Sequence, residues 1–366
     1  MQGSTRKNLR RAIWLVVLAA IGGGVFVLLP AFGQSHNGPP QKDMKIDQAV
    51  RVEVIEAVIA NLNQRYVFPD KAAIMEKQLR LELKNGDYDD VTSAEQLANK
   101  LGESLQKTSQ DKHLGLRYLE NEIPLQDRAA EIKAQTIERQ AEDIRLNYGF
   151  HNVDRLKFNI GYIDLRHFAE SPDVAKRMEA AMSLLGDTRA MIIDLRKNGG
   201  GSPDAVALLA SYFHDKKTHL NDIYQREGNV TSEMWTNENV AGKKYGEKRK
   251  LYLLTSKETF SAAEDFAYAM KNNKRATIIG EVTGGGAHPG DVHRLNAHFM
   301  MNVPSGRSIS PVTKTDWEVV GVQPDIKVSA NDALNIAQVE ILKDFLKSEK
   351  DPMWQDLLKE TIAELD

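Results

Sequence analysis

Apolar residues recur at helical spacing early in the chain. Ala49, Val52, Ile55, Val58, Ile59 and Leu62 share one face, and Tyr66-Val67-Phe68-Pro69 breaks the run. Residues 71–83 and 93–105 repeat the pattern, divided by Asn85-Gly86-Asp87, and Ser93 with Gln96 has the spacing of a capping box. The pattern predicts a small helical bundle over 46–107, with aliphatic stripes that serve packing. Residues 120–148 follow as a charged, helix-capable connector. From Phe158 the period changes: 160–165 and 190–195 read as strands, 172–185 and 203–213 as the helices after them. A variable, hairpin-like section leads to a short apolar strand at 251–254. A helix follows with Ala263, Phe266, Ala267 and Met270 on one face. Further strands are expected at 276–281 and 298–304, and closing helices at 330–347 and 352–365. Strands alternating with helices predict an α/β fold around a largely parallel sheet.

The N-terminus has a different character. Arg6, Lys7, Arg10 and Arg11 precede an uncharged run over 12–29, then Pro30 and small residues near Gly33. A basic flank, an apolar core and small residues read as a secretory signal. The run is also long enough to span a bilayer as an anchor. Either reading of 1–33 keeps the basic flank inside and exports the body, to a periplasm or the extracellular side. Residues 34–45 form a polar linker, so the expected order is segment 1–33, linker, bundle at 46–107, α/β core at 108–350 and a terminal helix at 351–366.

Composition narrows the chemistry. Of 366 residues, 42% are hydrophobic and 27% charged, as in an ordinary globular protein. A formal charge of −3 gives no reason to expect nucleic acid as a partner. There is no cysteine, which excludes disulfides, thiol catalysis and cysteine-ligated metals.

Two stretches carry candidate chemistry. Ser261 falls where the 251–254 strand gives way to a helix, with Glu264 and Asp265 in the first turn. Free backbone N–H groups at such a junction can hold an anion, so a serine there suits nucleophilic attack. The plainer alternative is that Thr259 or Ser261 is only a helix cap. Residues 194–201, Asp-Leu-Arg-Lys-Asn-Gly-Gly-Gly, place three glycines directly after a strand. Glycines let the backbone turn and approach a ligand closely. The spacing fits neither a P-loop nor a dinucleotide fingerprint, which leaves a loop for a peptide backbone or an oxyanion. His288, His293 and His298 are evenly spaced, but no carboxylate ligand pattern accompanies them. No metal and no cofactor is expected.

The Asp-Leu-Arg-x-Asn-Gly-Gly-Gly run, Phe260-Ser-Ala-Ala-Glu264, Ile279-Gly-Glu-x-Thr-Gly-Gly-Gly286 and Trp317-Glu-x-x-Gly-Val-x-Pro-Asp-Ile326 occur in that order. Together they resemble the C-terminal processing peptidase superfamily, over roughly residue 111 to the end. The nearest branch is similar to the tricorn core and the interphotoreceptor retinoid-binding protein modules, which also begin with a helical bundle. The resemblance implies a crotonase-like (ClpP-like) core and a serine peptidase. It places Ser261 at the nucleophile, His113 at the general base and Glu318 at the orienting carboxylate. It also implies an oxyanion hole from Gly199 or Gly200 with the N–H of Ala262. Glu264 and Glu281 are alternatives to Glu318, each read first as structural.

Two features depart from the superfamily. The lysine of the Ser-Lys branch is missing after residues 284–286, and Lys112 stands where the tricorn pattern has a serine before its histidine. Residues 114–158 also lack the glycine-rich strand-turn signals of a PDZ domain. The expectation is an exported serine endopeptidase acting on peptides or proteins through an acyl-enzyme. Its rival is a non-catalytic module binding apolar ligands or peptides on the same scaffold. In the peptidase reading His113, at the exit of the bundle, must reach Ser261 across a boundary between segments.

Overall fold

The computed structural model describes residues 41–125, 128–170 and 172–366. The signal or anchor segment and most of the linker therefore lie outside the described residues. Among the described residues, no helix is long and apolar enough to cross a membrane.

The expected bundle is α1 (Gln48–Arg65), α2 (Pro69–Asn85) and α3 (Ala94–Ser109). Local chemistry sets each boundary. The Asp47 side chain accepts the Val50 N–H, and Pro69 opens α2, where a missing N–H costs nothing. Gly86 ends α2 in the left-handed region at φ 79°. Ser93 accepts the Gln96 N–H at 3.0 Å, which is the cap half of the expected box. Val54, Ile55, Val58, Ile59 and Leu62 form the buried stripe of α1.

After β1 (Gly115–Tyr118), the charged connector forms α4 (Arg128–Arg145). The α/β half then runs β2 (Phe150–Leu156), β3 (Ile160–Leu165), α5 (Val174–Leu185), β4 (Ala190–Asp194) and α6 (Pro203–Ser211). The hairpin-like section is β5 (His219–Gln225) with β6 (Val230–Trp235). Next come β7 (Lys250–Thr255), α7 (Ala262–Asn272) and β8 (Thr277–Gly280). The chain continues through β9 (Gly290–Arg294), β10 (Phe299–Pro304), β11 (Gly306–Ile309), β12 (Ile326–Lys327), α8 (Ala333–Ser348) and α9 (Pro352–Leu365).

The central sheet has the order β12-β8-β7-β4-β3-β2 and is parallel except for the β2–β3 edge pair. Its middle strands are buried on both faces, as parallel strands between helices must be. One face packs against α5, α6 and α7, the other against α8 and α9. This is the expected α/β core behind a helical bundle.

The division into bundle and core is less sharp than the sequence suggests. β10 lies between β1 and β9, and β11 pairs with β5. Phe299, Met301 and Val303 of β10 belong to the same buried cluster as Val54, Leu62, Leu97 and Leu101 of the bundle. A strand from late in the chain thus completes the core of the N-terminal helices. The His113 turn, between α3 and β1, is held by that shared core.

Phe299→Ala is therefore expected to cost about 3–5 kcal/mol, the usual range for emptying a buried aromatic site. Urea unfolding followed by circular dichroism should still show one transition for both halves. A loss below about 1 kcal/mol would mean that β10 is not part of the bundle core.

Candidate active site

The site begins where two turns are stitched together. β7 ends at Thr255, and residues 256–260 run back along the turn that follows β4. Ser256 Oγ donates to the Arg196 carbonyl at 2.6 Å, and Thr259 Oγ1 donates to the Leu195 carbonyl at 2.7 Å. The Phe260 N–H donates to the Asn198 carbonyl at 3.0 Å. Thr259 is thus an inter-turn tie, while Ser261 is the residue that opens α7. Ser261 has φ 55° and ψ −121°, a strained conformation for a residue with a side chain, and it stays partly exposed.

The same stitching brings the glycine loop against Ser261. A Cβ built on Gly200 would lie 2.8 Å from Ser261 Cβ and 3.1 Å from the Ala262 nitrogen. Only glycine fits there, and its φ of 112° requires glycine as well. The Gly200 N–H is already donated to Asn198 Oδ1 at 2.9 Å. Of the two glycines singled out, Gly199 is therefore the one whose N–H is not spent within the loop. Ala262, in the first turn of α7, precedes any N–H that the helix itself can satisfy.

Glu264 holds the third part of the site. Its side chain is completely buried and accepts four hydrogen bonds: Thr283 Oγ1 at 2.5 Å, Gly285 N–H at 2.6 Å, and the Gly286 and Ser261 N–H groups at 2.9 Å each. Burial pushes its carboxyl up to about 7, against these four donors that favour the ionised form. Its place is structural: it ties the start of α7 to residues 283–286. Glu281 lies apart, at a turn contact with the Lys257 N–H.

Residues 283–288 in turn carry Glu318. Glu318 Oε2 accepts the Ala287 N–H at 2.5 Å, Trp317 Nε1 donates to the Gly286 carbonyl, and the Val319 N–H donates to the Gly285 carbonyl. Val319 stands at φ 67°, unusual for a β-branched residue. Lys112, in place of the serine, donates from Nζ to the Gly284 carbonyl at 2.5 Å. It fastens the His113 turn to the same loop.

His113 is buried, its ring 4.6 Å centroid to centroid from Phe260, the residue before Ser261. Burial pushes its imidazole down to about 4, with Asp111 opposing the shift and His288 adding to it, so the ring is neutral at pH 7. Asp111 is a member of the cluster that sequence reasoning missed. Its Oδ1 accepts the His113 N–H at 3.0 Å. Its Oδ2 accepts Tyr66 OH at 3.1 Å and pairs with His288 Nδ1 at 2.7 Å. His288 Nδ1 also lies 3.5 Å from Glu318 Oε2. Burial works against a charged His288, but Asp111 and then Glu318 outweigh it and raise its pKa. Asp111 is held low by His288 against its own burial. Burial and then Asp111 raise the Glu318 carboxyl to about 7, with His288 opposing. Among the described residues, Asp111, His113 and Glu318 are the one group of three whose donor atoms lie within 4.8 Å of one another.

The structure therefore brings Ser261, Gly200 and Ala262 together on one side, and His113 and Glu318 together on the other, with Phe260 and residues 283–287 between the two groups. The evenly spaced histidines separate: His288 joins Asp111, His293 sits in the β9–β10 ladder, and His298 Nδ1 meets the Leu119 carbonyl. Asp111 was within reach of sequence reasoning, two residues before His113, but a lone aspartate in a polar turn gives no signal of its partner 177 positions away.

Residues 159–328 match the model of peptidase family S41, and residues 45–147 match the N-terminal domain of that family in eukaryotic IRBP. The chain is 34% identical over 176 residues to carboxyl-terminal-processing peptidase 2, chloroplastic, of Arabidopsis thaliana, covering 45% of the chain and 31% of the relative. It is 33% identical over 129 residues to the carboxyl-terminal-processing protease of Synechocystis sp., covering 35% of the chain and 28% of the relative. The chain thus spans under a third of the length of these two curated relatives. Among solved structures, a lipoprotein from Streptococcus agalactiae superposes with a TM-score of 0.52 at 15% identity, covering 85% of this chain and 99% of that one. A Parabacteroides merdae structure gives 0.53 at 19% identity, covering 76% and 90%. These two show a shared fold.

Asp265, the next residue of α7, yields a stability prediction. It is buried, with Asn221 as its polar neighbour, and burial pushes its carboxyl up to about 7. The folded state thus keeps a proton that the unfolded chain has lost. The stability this group contributes is complete below the unfolded pKa of 3.8 and is lost as pH rises through about 7. One such proton gives a slope of at most about 1.4 kcal/mol per pH unit. Asp265→Asn should remove that slope and be more stable than the parent at pH 8, measured by denaturant unfolding at several pH values. An unchanged slope would contradict the assignment.

Proposed function

We propose that the chain is a serine endopeptidase of the peptidase family S41 kind with Ser261 as nucleophile, a reading supported by the match of residues 159–328 to that family's model and of residues 45–147 to the model of its N-terminal domain. The observation that carries the proposal is the position of Ser261. It is strained and partly exposed at a strand-to-helix junction, stitched beside a glycine loop and beside the first N–H groups of a helix.

In this reading His113 takes the proton from Ser261 as Oγ attacks the scissile carbonyl carbon. The carbonyl π pair moves to oxygen, where the N–H groups of Gly199 and Ala262 receive the developing charge. Collapse of that intermediate breaks the C–N bond, and His113 returns the proton to the leaving amine. Water then repeats the sequence on the acyl-enzyme ester and releases Ser261. Glu318 and the Asp111–His288 pair form the charged surroundings that position the base. Asp111 does so directly, through the His113 backbone N–H. Lys112 supplies a tether where the serine of the related pattern would supply a hydroxyl.

Peptide or protein is the substrate class this mechanism implies. The basic flank and apolar run before Gly33 support an exported setting for it.

A fluorophosphonate probe should label the native protein at Ser261, and Ser261→Ala should abolish both labelling and peptide hydrolysis. His113→Ala should lower turnover by about 10²–10⁴, the usual worth of general base catalysis, with little change in thermal unfolding. A His113→Ala protein of near-parental rate would remove the base from this account, and labelling that persists in Ser261→Ala would remove the nucleophile.

A further inference from the structure

Two polar atoms of the cluster are unexplained by the peptidase reading. His113 Nδ1 and Glu318 Oε1 are buried and have no hydrogen-bond partner. His113 itself is 8% exposed. The neighbouring atoms are all accounted for. Asp111 Oδ1 has the His113 N–H, Asp111 Oδ2 has Tyr66 and His288, and Glu318 Oε2 has the Ala287 N–H. Buried polar atoms left single in this way mark a place for a water or an ion. Both belong to residues of the one described group whose donor atoms, one from each residue, converge within 4.8 Å.

We propose that Asp111, His113 and Glu318 form an inhibitory site for a divalent transition cation of the Zn²⁺ class. The donor set selects the ion. One imidazole nitrogen and two carboxylate oxygens suit Zn²⁺ or Co²⁺, whereas Ca²⁺ requires six to eight oxygens. Donor atoms around a tetrahedral ion at 2.0–2.2 Å stand roughly 3.3–3.6 Å apart. Loading the site therefore closes the group by about an ångström. The elements that must give are turns rather than helices or strands: one lies between α3 and β1, the other at residues 316–321. His288 engages the other oxygen of each carboxylate, Asp111 Oδ2 and Glu318 Oε2, so Glu318 Oε1 remains open to the ion.

The consequence follows from imidazole chemistry. A neutral ring bound through Nδ1 carries its proton on Nε2 and has no lone pair left there to accept one. The cation therefore silences the base, and it is an inhibitor rather than a cofactor. This consequence rests on the role proposed for His113; binding of the ion does not.

The test uses the full chain after chelator treatment. Zn²⁺ is titrated by calorimetry and Co²⁺ by its visible absorption, with peptide hydrolysis followed in parallel. One ion per chain is expected, with activity falling in step with occupancy and returning on chelation. Glu318→Gln and His113→Ala should each weaken binding by about tenfold or more. Thermal unfolding of each variant separates loss of the site from loss of the fold. Should Asp111→Asn fail to fold, the Co²⁺ spectrum of Glu318→Gln decides alone. The proposal is overturned if no ion binds at millimolar concentration, or if the variants bind as the parent does. It is also overturned if a fully occupied, otherwise active enzyme keeps its rate. If the chelated protein hydrolyses no peptide at all, the peptidase reading fails while calorimetry still decides the site.

Discussion

Everything at the site hangs on one buried carboxylate. Glu264 accepts the N–H of Ser261 and, through three more donors, the loop that carries Gly285, Gly286 and Thr283. A carboxylate without those partners would be costly in the interior, and those N–H groups without it would be orphans. The arrangement is mutual, so the start of α7 and the 283–286 loop are positioned together or not at all. Glu318 then follows from the loop through Ala287, and the His113 turn follows through Lys112. Four segments far apart in sequence are thereby joined by hydrogen bonds between side chains and backbone groups.

The second constraint is the core shared between the two halves. His113 and Asp111 belong to the turn between α3 and β1, and β1 pairs with β10 of the later chain. Because Phe299, Met301 and Val303 fill the bundle interior, the His113 side of the site is fixed by apolar packing. The Ser261 side is fixed by turn-to-turn hydrogen bonds. The His113 side carries the titratable groups: a His288–Asp111 pair, a neutral His113 and a carboxyl at Glu318 raised to about 7.

Much of this was legible in the sequence. The helical stripes of the bundle, the apolar strands at 160–165 and 190–195, and the glycine turn at 198–201 read correctly because each is a local pattern of period or turn chemistry. The Ser261 junction was equally local. What the sequence could not show were the long-range pairings. Asp111 with His288, Lys112 with the Gly284 carbonyl, and β10 inside the bundle core join positions more than a hundred residues apart. Glu264 read as a structural first-turn acid, which is its place, though not how many donors it would gather. The Asn198 side chain, which takes the Gly200 N–H, bears on a choice between two glycines that the resemblance left open.

The central claim is that the two halves of the site meet on one reacting carbonyl. A crystal structure of the fluorophosphonate adduct tests it directly. The account predicts phosphorus bonded to Ser261 Oγ and its oxygen roughly 2.7–3.1 Å from the Gly199 and Ala262 nitrogens. His113 Nε2 should stand within hydrogen-bond reach of Ser261 Oγ, about 2.6–3.2 Å. An adduct on another residue, or one at Ser261 with its oxygen in solvent and a different imidazole or lysine beside it, would contradict the account.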